Sequence, residues 1–222
     1  MTARRGKFFI VLFMMSAALA PLHAAAVDET TSDGAASDLQ RKWEHIKFEI
    51  PEGDKQTEMM NALGELADAT AARSPDRVDV LIWDGVITSE RASLASAFSA
   101  LGLAKRARDV LAKAYEKDPT ALEAGATTSL GVLYYRVPGF PIGFGDKAKA
   151  RQLLEQGVRI APAGLDALYF YGDFLYTQGE YAKAAEVLGR ALKTPAHPAR
   201  PQWDRNRRLV AEELLANIQA KR

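Results

Sequence analysis

The chain has 222 residues, with 29 Lys and Arg, 28 Asp and Glu, and no cysteine. That length allows one domain, and the near-neutral charge gives no general attraction to nucleic acid or anionic lipid. The missing thiol excludes cysteine catalysis, Cys-based metal sites and lipid attachment to an N-terminal Cys.

Arg4, Arg5 and Lys7 precede an uncharged apolar run over residues 8–20, followed by Ala24, Ala25 and Ala26. This is the layout of a secretory signal peptide over residues 1–26, and 13 apolar residues are short for a bilayer span. An uncleaved anchor helix is the alternative. Cleavage is expected after Ala26, with Ala24 as the second site. The Phe of a twin-arginine signal is displaced to Phe8, which favours the general export route. Removing the segment leaves 26 basic and 28 acidic residues, a net charge of −2, with no second apolar span. The expectation is therefore a periplasmic protein with no membrane span after signal removal, and no nucleic-acid partner.

Residues 27–37 are small, polar and acidic and read as a flexible lead-in. Residues 38–75 hold two N-terminal helices. The first carries Leu39, Trp43 and Ile46 at three- and four-residue intervals and stops at Pro51 to Gly53. The second, about residues 55–72, carries Met59, Met60, Leu63 and Leu66 and stops before Pro75.

Residues 76–194 are repetitive. Ala150, Leu154 and Gly157 align with Ala184, Leu188 and Ala191 at an offset of 34, and Ala107, Leu111, Ala114 and Pro119 align with Ala150, Leu154, Gly157 and Pro162 at an offset of 43. Each small–large–small triplet is the inner face of the second helix of a pair, and the proline stops that helix. The first helices carry Leu130, Gly131 and Tyr134, and Tyr171, Gly172 and Leu175. Gly172 precedes Ala184 by 12 residues and Gly131 precedes Ala150 by 19, so seven residues are inserted in that pair. Two more lie between Pro119 and Gly131, and together the two insertions account for the longer offset. The earliest pair allows two registers, on Gly85 with a 10-residue insertion or on Ala95 with none. The Gly85 register is preferred, with residues 89–102 as a helical extension and turn. Residues 195–222 hold a Pro-rich connector and a capping helix from about Trp203 to Ala220, whose polar outer face would close the stack. The fold class expected is all-α, a tetratricopeptide-like helix-pair solenoid (an α-α superhelix) with an N-terminal helical extension.

The repeats resemble tetratricopeptide repeats. More narrowly, ALGLAKRAR, TSLGVLYYRVPGFPIGFGDKAKAR, LDALYFYGDFLYTQGEYAKA and the PARP segment are similar to exported proteobacterial proteins of this class. Those are distantly similar to the T component associated with tripartite ATP-independent periplasmic (TRAP) transporters. This chain departs from the lipoprotein form of that component by having no Cys. The resemblance implies the fold and carries over no catalytic residue.

In this repeat class the first helices line a concave groove. With Gly131 and Gly172 equivalent, the groove positions are Thr128, Val132 and Tyr135 in one pair and Tyr169, Asp173 and Tyr176 in the next. Three tyrosines and an acid offer aromatic area with polar tips, suited to a peptide or a small amphiphile. The plainer reading has Tyr135 and Tyr176 covering the adjacent helix.

The inserted loop sets Gly139, Gly143 and Gly145 among Phe140, Ile142 and Phe144, with Pro138 and Pro141 stiffening it. The glycine spacing is wrong for a phosphate loop. Its apolar side chains either tuck into the chain's own groove, with the glycines supplying positive φ, or form the floor or lid of a ligand site. Asp146 is placed to cap the helix that follows. Arg200, Arg205, Arg207 and Arg208 alternate with Asp204, Glu212 and Glu213 and read as a solvated face.

His45 and His197 have no partner at ligand or triad spacing, so no catalytic residue, metal site or cofactor is expected, and the chain does not read as an enzyme. The function expected is a periplasmic scaffold binding a protein partner through the concave groove. The alternative is an accessory component of a TRAP-type solute-uptake system, with the loop closing a pocket over a small apolar or amphiphilic ligand.

Overall fold

A computed structural model describes residues 34–221. The expected signal peptide and most of the lead-in lie outside the described residues. Nine helices follow within them: α1 (Ala35–Glu49), α2 (Asp54–Arg73), α3 (Val78–Leu94), α4 (Ala97–Lys117), α5 (Ala121–Arg136), α6 (Lys147–Ile160), α7 (Leu165–Thr177), α8 (Tyr181–Ala191) and α9 (Pro201–Gln219). The first begins three residues before the position expected from Asp38, because Ala36 is already buried one turn ahead of Leu39.

The heaviest packing is within α3/α4, α5/α6 and α7/α8, three consecutive helix pairs. One contact recurs in all three. A methyl group on Gly85 would lie 2.4 Å from Leu111 Cγ, on Gly131 2.7 Å from Leu154 Cγ, and on Gly172 2.7 Å from Leu188 Cγ. Leu111, Leu154 and Leu188 are fully buried. Each glycine lets the first helix approach until the leucine of the second fills the space a Cβ would need. The first register is thereby fixed on Gly85. The 10 extra residues lengthen both α3 and α4 at the turn that joins them. The two extra residues after Pro119 coincide with a left-handed stretch at Leu122, Glu123 and Ala124, with φ of 49°, 53° and 63°.

First helices touch in sequence, α3 on α5 and α5 on α7, while among the described residues α4, α6 and α8 make no comparable contact with one another. The stack therefore curves toward its first helices, which line the concave side. On that side α1 packs on α3, α9 packs on α7, and α9 meets α1. The five helices α1, α3, α5, α7 and α9 close into a ring.

Closure is built from the chain's three tryptophans. Trp43 and Trp83 lie 5.7 Å apart by ring centroids, and Trp203 is buried. The Arg200 guanidinium sits 4.1 Å over the Trp203 ring and 5.6 Å from that of Trp83, and its Nε donates to the Glu44 carboxylate. Arg207 pairs with Asp166, and Arg208 donates to Asp204 and to the carbonyls of Leu192, Thr194 and Pro195. The solvated-face reading therefore holds for Arg205 alone. The other three arginines face inward, because a helix that caps the stack and also reaches α1 presents more than one face to protein.

Candidate functional site

The last turn of α5 and the middle of α7 bring Tyr135, Arg136 and Asp173 together. The Tyr135 hydroxyl donates to the Asp173 carboxylate, Arg136 Nη2 donates to the same oxygen at 2.6 Å, and Arg136 Nε donates to the Tyr135 hydroxyl at 3.2 Å. The Tyr135 ring stands edge-on to the buried Phe174, at 5.5 Å. Burial is the main reason the Tyr135 phenol is held above its ordinary pKa, and Asp173 adds to it. Burial works against the Arg136 charge, but Tyr135 and Asp173 outweigh it and raise its pKa. At neutral pH Tyr135 is thus a neutral phenol and Arg136 a cation, both donating to the Asp173 side chain.

Beside the cluster lies a cleft of about 310 Å³ lined by Tyr135, Arg136, Lys147, Asp173, Thr177 and Gln178. Lys147 opens α6, where the Asp146 side chain accepts from the amides of Ala148 (2.9 Å) and Lys149 (3.0 Å), the capping role expected of it. Lys147 is exposed and makes no ion pair among the described residues. The cleft can take a polar or negatively charged group, with Lys147 as the free cation and Thr177 and Gln178 as hydrogen-bonding partners.

The remaining groove positions go elsewhere. Thr128 is buried against the second helix of its own pair, where a methyl on Gly157 would meet its Oγ1 at 2.8 Å. It precedes Gly131 by one turn and so shares the glycine's inward face; the groove assignment is corrected on that ground. Tyr169 is half-buried beneath Arg207, whose guanidinium lies 4.5 Å from its ring centroid, so it faces α9. Tyr176 packs on Tyr181 at 5.5 Å, with Lys221 5.6 Å from its ring. Val132 is partly buried against the core.

The inserted loop neither enters the groove nor covers it. Phe144 packs edge-on to Tyr134 at 5.6 Å and under the Arg108 guanidinium at 4.6 Å, which places it between α5 and α4. Phe140 is 93% exposed and Ile142 69%, so neither is floor or lid. Nor do the loop glycines serve positive φ, which among glycines of the described residues occurs at Gly53 and Gly179. They provide room: a methyl on Gly145 would fall 2.0 Å from the Val137 carbonyl oxygen, and one on Gly143 2.4 Å from that of Pro138.

Arg136, Lys147, Thr177 and Gln178 were not among the expected site residues. A signal for the first existed, since an acid at a packed position, Asp173, needs a cation, and Arg136 is the basic residue adjoining its partner Tyr135. Lys147, Thr177 and Gln178 lie at helix ends, whose meeting depends on how the pairs stack.

Comparison with known proteins bears on the fold. Residues 142–204 match a tetratricopeptide repeat family model. The crystal structure of TTC0263, a thermophilic TPR protein in Thermus thermophilus, is similar over 82% of this chain and 91% of its own, with a TM-score of 0.54 and 17% identity. A more distant likeness is the crystal structure of MamA protein, covering 85% of this chain and 92% of that one, with a TM-score of 0.44 and 15% identity. No curated protein sequence matches. A repeat model over α6, α7, α8 and the start of α9, the same glycine–leucine contact in all three pairs, and the architecture shared with TTC0263 give the described residues the all-helical fold of a tetratricopeptide repeat solenoid.

Proposed function

We propose that the protein is a non-enzymatic scaffold that engages a protein partner at the cleft between the ends of α5 and α7, and that it works in the periplasm. The cleft carries the first part of this reading. It is open, lined by polar side chains, and holds an unpaired Lys147 beside a pre-ordered Tyr135–Arg136–Asp173 cluster. Such a site suits an acidic side chain presented by a partner, with the tyrosine ring as apolar support. Tyr169, covered by Arg207, lies outside the surface so defined. The geometry gives no support to a carrier of apolar ligand, since every residue lining the cleft carries a polar or charged group and the loop that would close a pocket points outward. Export is supported by the basic start, apolar run and small residues of the first 26 positions.

Affinity purification of the full chain from its own cells, with mass spectrometry of what is retained, tests the cleft. A genuine partner is retained by the wild type and depleted roughly tenfold by Lys147→Glu, about what losing one charge-assisted contact costs. Equal retention by Lys147→Glu and by Thr177→Arg would sink the cleft as the binding surface. Cell fractionation with N-terminal sequencing tests export, with Val27 as the expected first residue.

A further inference from the structure

The insertions of the first two pairs fall on one edge of the solenoid. Both lie at the turn from first helix to second, where α3 and α4 are lengthened and the 137–145 loop sits. The third pair turns at once through Gln178, Gly179 and Glu180. The two insertions pack on each other: Gly143 lies against Leu101 of α4, whose Cδ1 would be 3.4 Å from an added methyl, and Phe144 lies under Arg108 of α4. Beyond this contact the apolar side chains continue outward without cover. Phe98 precedes Leu101 by one helical turn and is 98% exposed, and in the loop that Leu101 faces at Gly143, Ile142 is 69% exposed and Phe140 93%. The loop beneath them is held in shape. Gly145 N–H donates to the Pro138 carbonyl at 2.9 Å and Gly143 N–H to that of Gly139 at 3.1 Å, and Asp146 N–H returns to Tyr134 at 2.8 Å.

The same edge is basic. Residues 96–110 contain Lys105, Arg106 and Arg108 against Asp109, and residues 136–152 contain Arg136, Lys147, Lys149 and Arg151 against Asp146. These two segments thus hold five positive charges in excess, in a chain whose total is +1. Arg106, Arg136 and Arg151 pair with Asp68, Asp173 and Glu180 outside these segments, which offsets three of those charges, but Lys105 and Lys147 are exposed and make no ion pair among the described residues.

We propose that this edge docks on an anionic lipid surface, with Phe98, Phe140 and Ile142 entering the headgroup region and the lysines meeting lipid phosphates. Amphipathic surfaces that join aromatic or aliphatic tips to Lys and Arg bind in this way, and each cation near an anionic leaflet adds to the attraction. Shape argues against a protein occupant. The uncovered apolar part is three separate side-chain tips, with no pocket or groove between them that a partner side chain could fill, whereas the centre of a stable protein interface is a well-packed, desolvated patch. A second copy would also set two cationic collars against each other. The proposal shares Lys147 with the cleft reading but rests on Phe98, Phe140 and Ile142, none of which lines the cleft, so either can fail without the other.

The test uses the absence of cysteine. Ser99→Cys places a single thiol beside Phe98, and an environment-sensitive nitrobenzoxadiazole label on it reports this edge alone in the full chain. Phosphatidylcholine vesicles containing phosphatidylglycerol should brighten and blue-shift the label, and brominated acyl chains should quench it. Pure phosphatidylcholine should respond roughly tenfold more weakly, and added salt should weaken the anionic response. Phe140→Ser with Ile142→Ser should abolish the response while leaving the thermal unfolding curve in place. The proposal is overturned if the label ignores anionic vesicles or if the double variant responds like the parent. It is equally overturned if the label responds to protein concentration without lipid, which would mark a contact between copies.

Discussion

The α1–α9 junction and the 137–145 edge are made of similar residues and end differently. Each combines aromatic side chains with arginine or lysine. At the junction Arg200 finds Glu44 and two tryptophan faces, and Trp203 is 3% exposed. At the edge Phe98 and Phe140 are more than nine-tenths exposed, and Lys105 and Lys147 make no ion pair among the described residues. Apolar and basic content therefore did not decide burial here. What decided it was whether another part of the chain could reach the side chains. A region closed by its own chain contributes to stability, and one left open contributes little to it and is available for binding.

Substitutions at the two regions should separate on that basis. Trp203→Ala at the junction should cost about 3–5 kcal/mol, the range for truncating a buried large aromatic, read from urea denaturation. If it costs under about 1 kcal/mol, the junction is not part of the cooperative core. The interior also holds Asp84, 2% exposed, which accepts from Thr88 and lies 4.0 Å from Arg106. Burial, then its neighbour Asp68, pushes its carboxyl up to about 6. A carboxyl whose pKa is higher in the folded state than in the unfolded chain favours folding while protonated. The contribution is present below pH 4 and is lost as pH rises through 6. The wild type should therefore lose on the order of 2–3 kcal/mol of this contribution between those values, and Asp84→Asn should lack the slope. Equal pH profiles for the two would show that Asp84 is no source of pH sensitivity. Arg200→Ala should cost about 2 kcal/mol, since Arg200 and Glu44 are each about 15% exposed at their side chains and the acid would be left without its partner. At the edge, Phe140→Ser with Ile142→Ser should change stability by under about 0.5 kcal/mol. A larger loss would mean that the tip is packed after all.

The repeats could be read from the sequence because their packing is local. Gly172 and Leu188 are 16 residues apart, and the small–large–small triplets record that one contact in chain order. Ring closure left no such record. Glu44 and Arg200 are 156 positions apart, and nothing near either residue announces the other. Without that contact, Arg200, Arg207 and Arg208 read as solvent-facing, and Tyr169 as an open groove residue. Thr128 was misplaced for a simpler reason, one helical turn counted onto the wrong face. The loop was misread because apolar side chains were expected to be buried, a rule that Phe144 follows and Phe140 and Ile142 do not.

The ring sets a limit on length that an open stack does not have. Repeat solenoids gain or lose a unit with little effect on the rest, because each unit touches only its neighbours, and they fray from whichever end is weaker. Here the first and last helices hold each other. A fourth pair inserted between α7 and α9 would carry Arg200 away from Glu44 and open the whole circle. The number of pairs is thus fixed by geometry, and neither α1 nor α9 is free to melt first: losing either exposes the tryptophans of both.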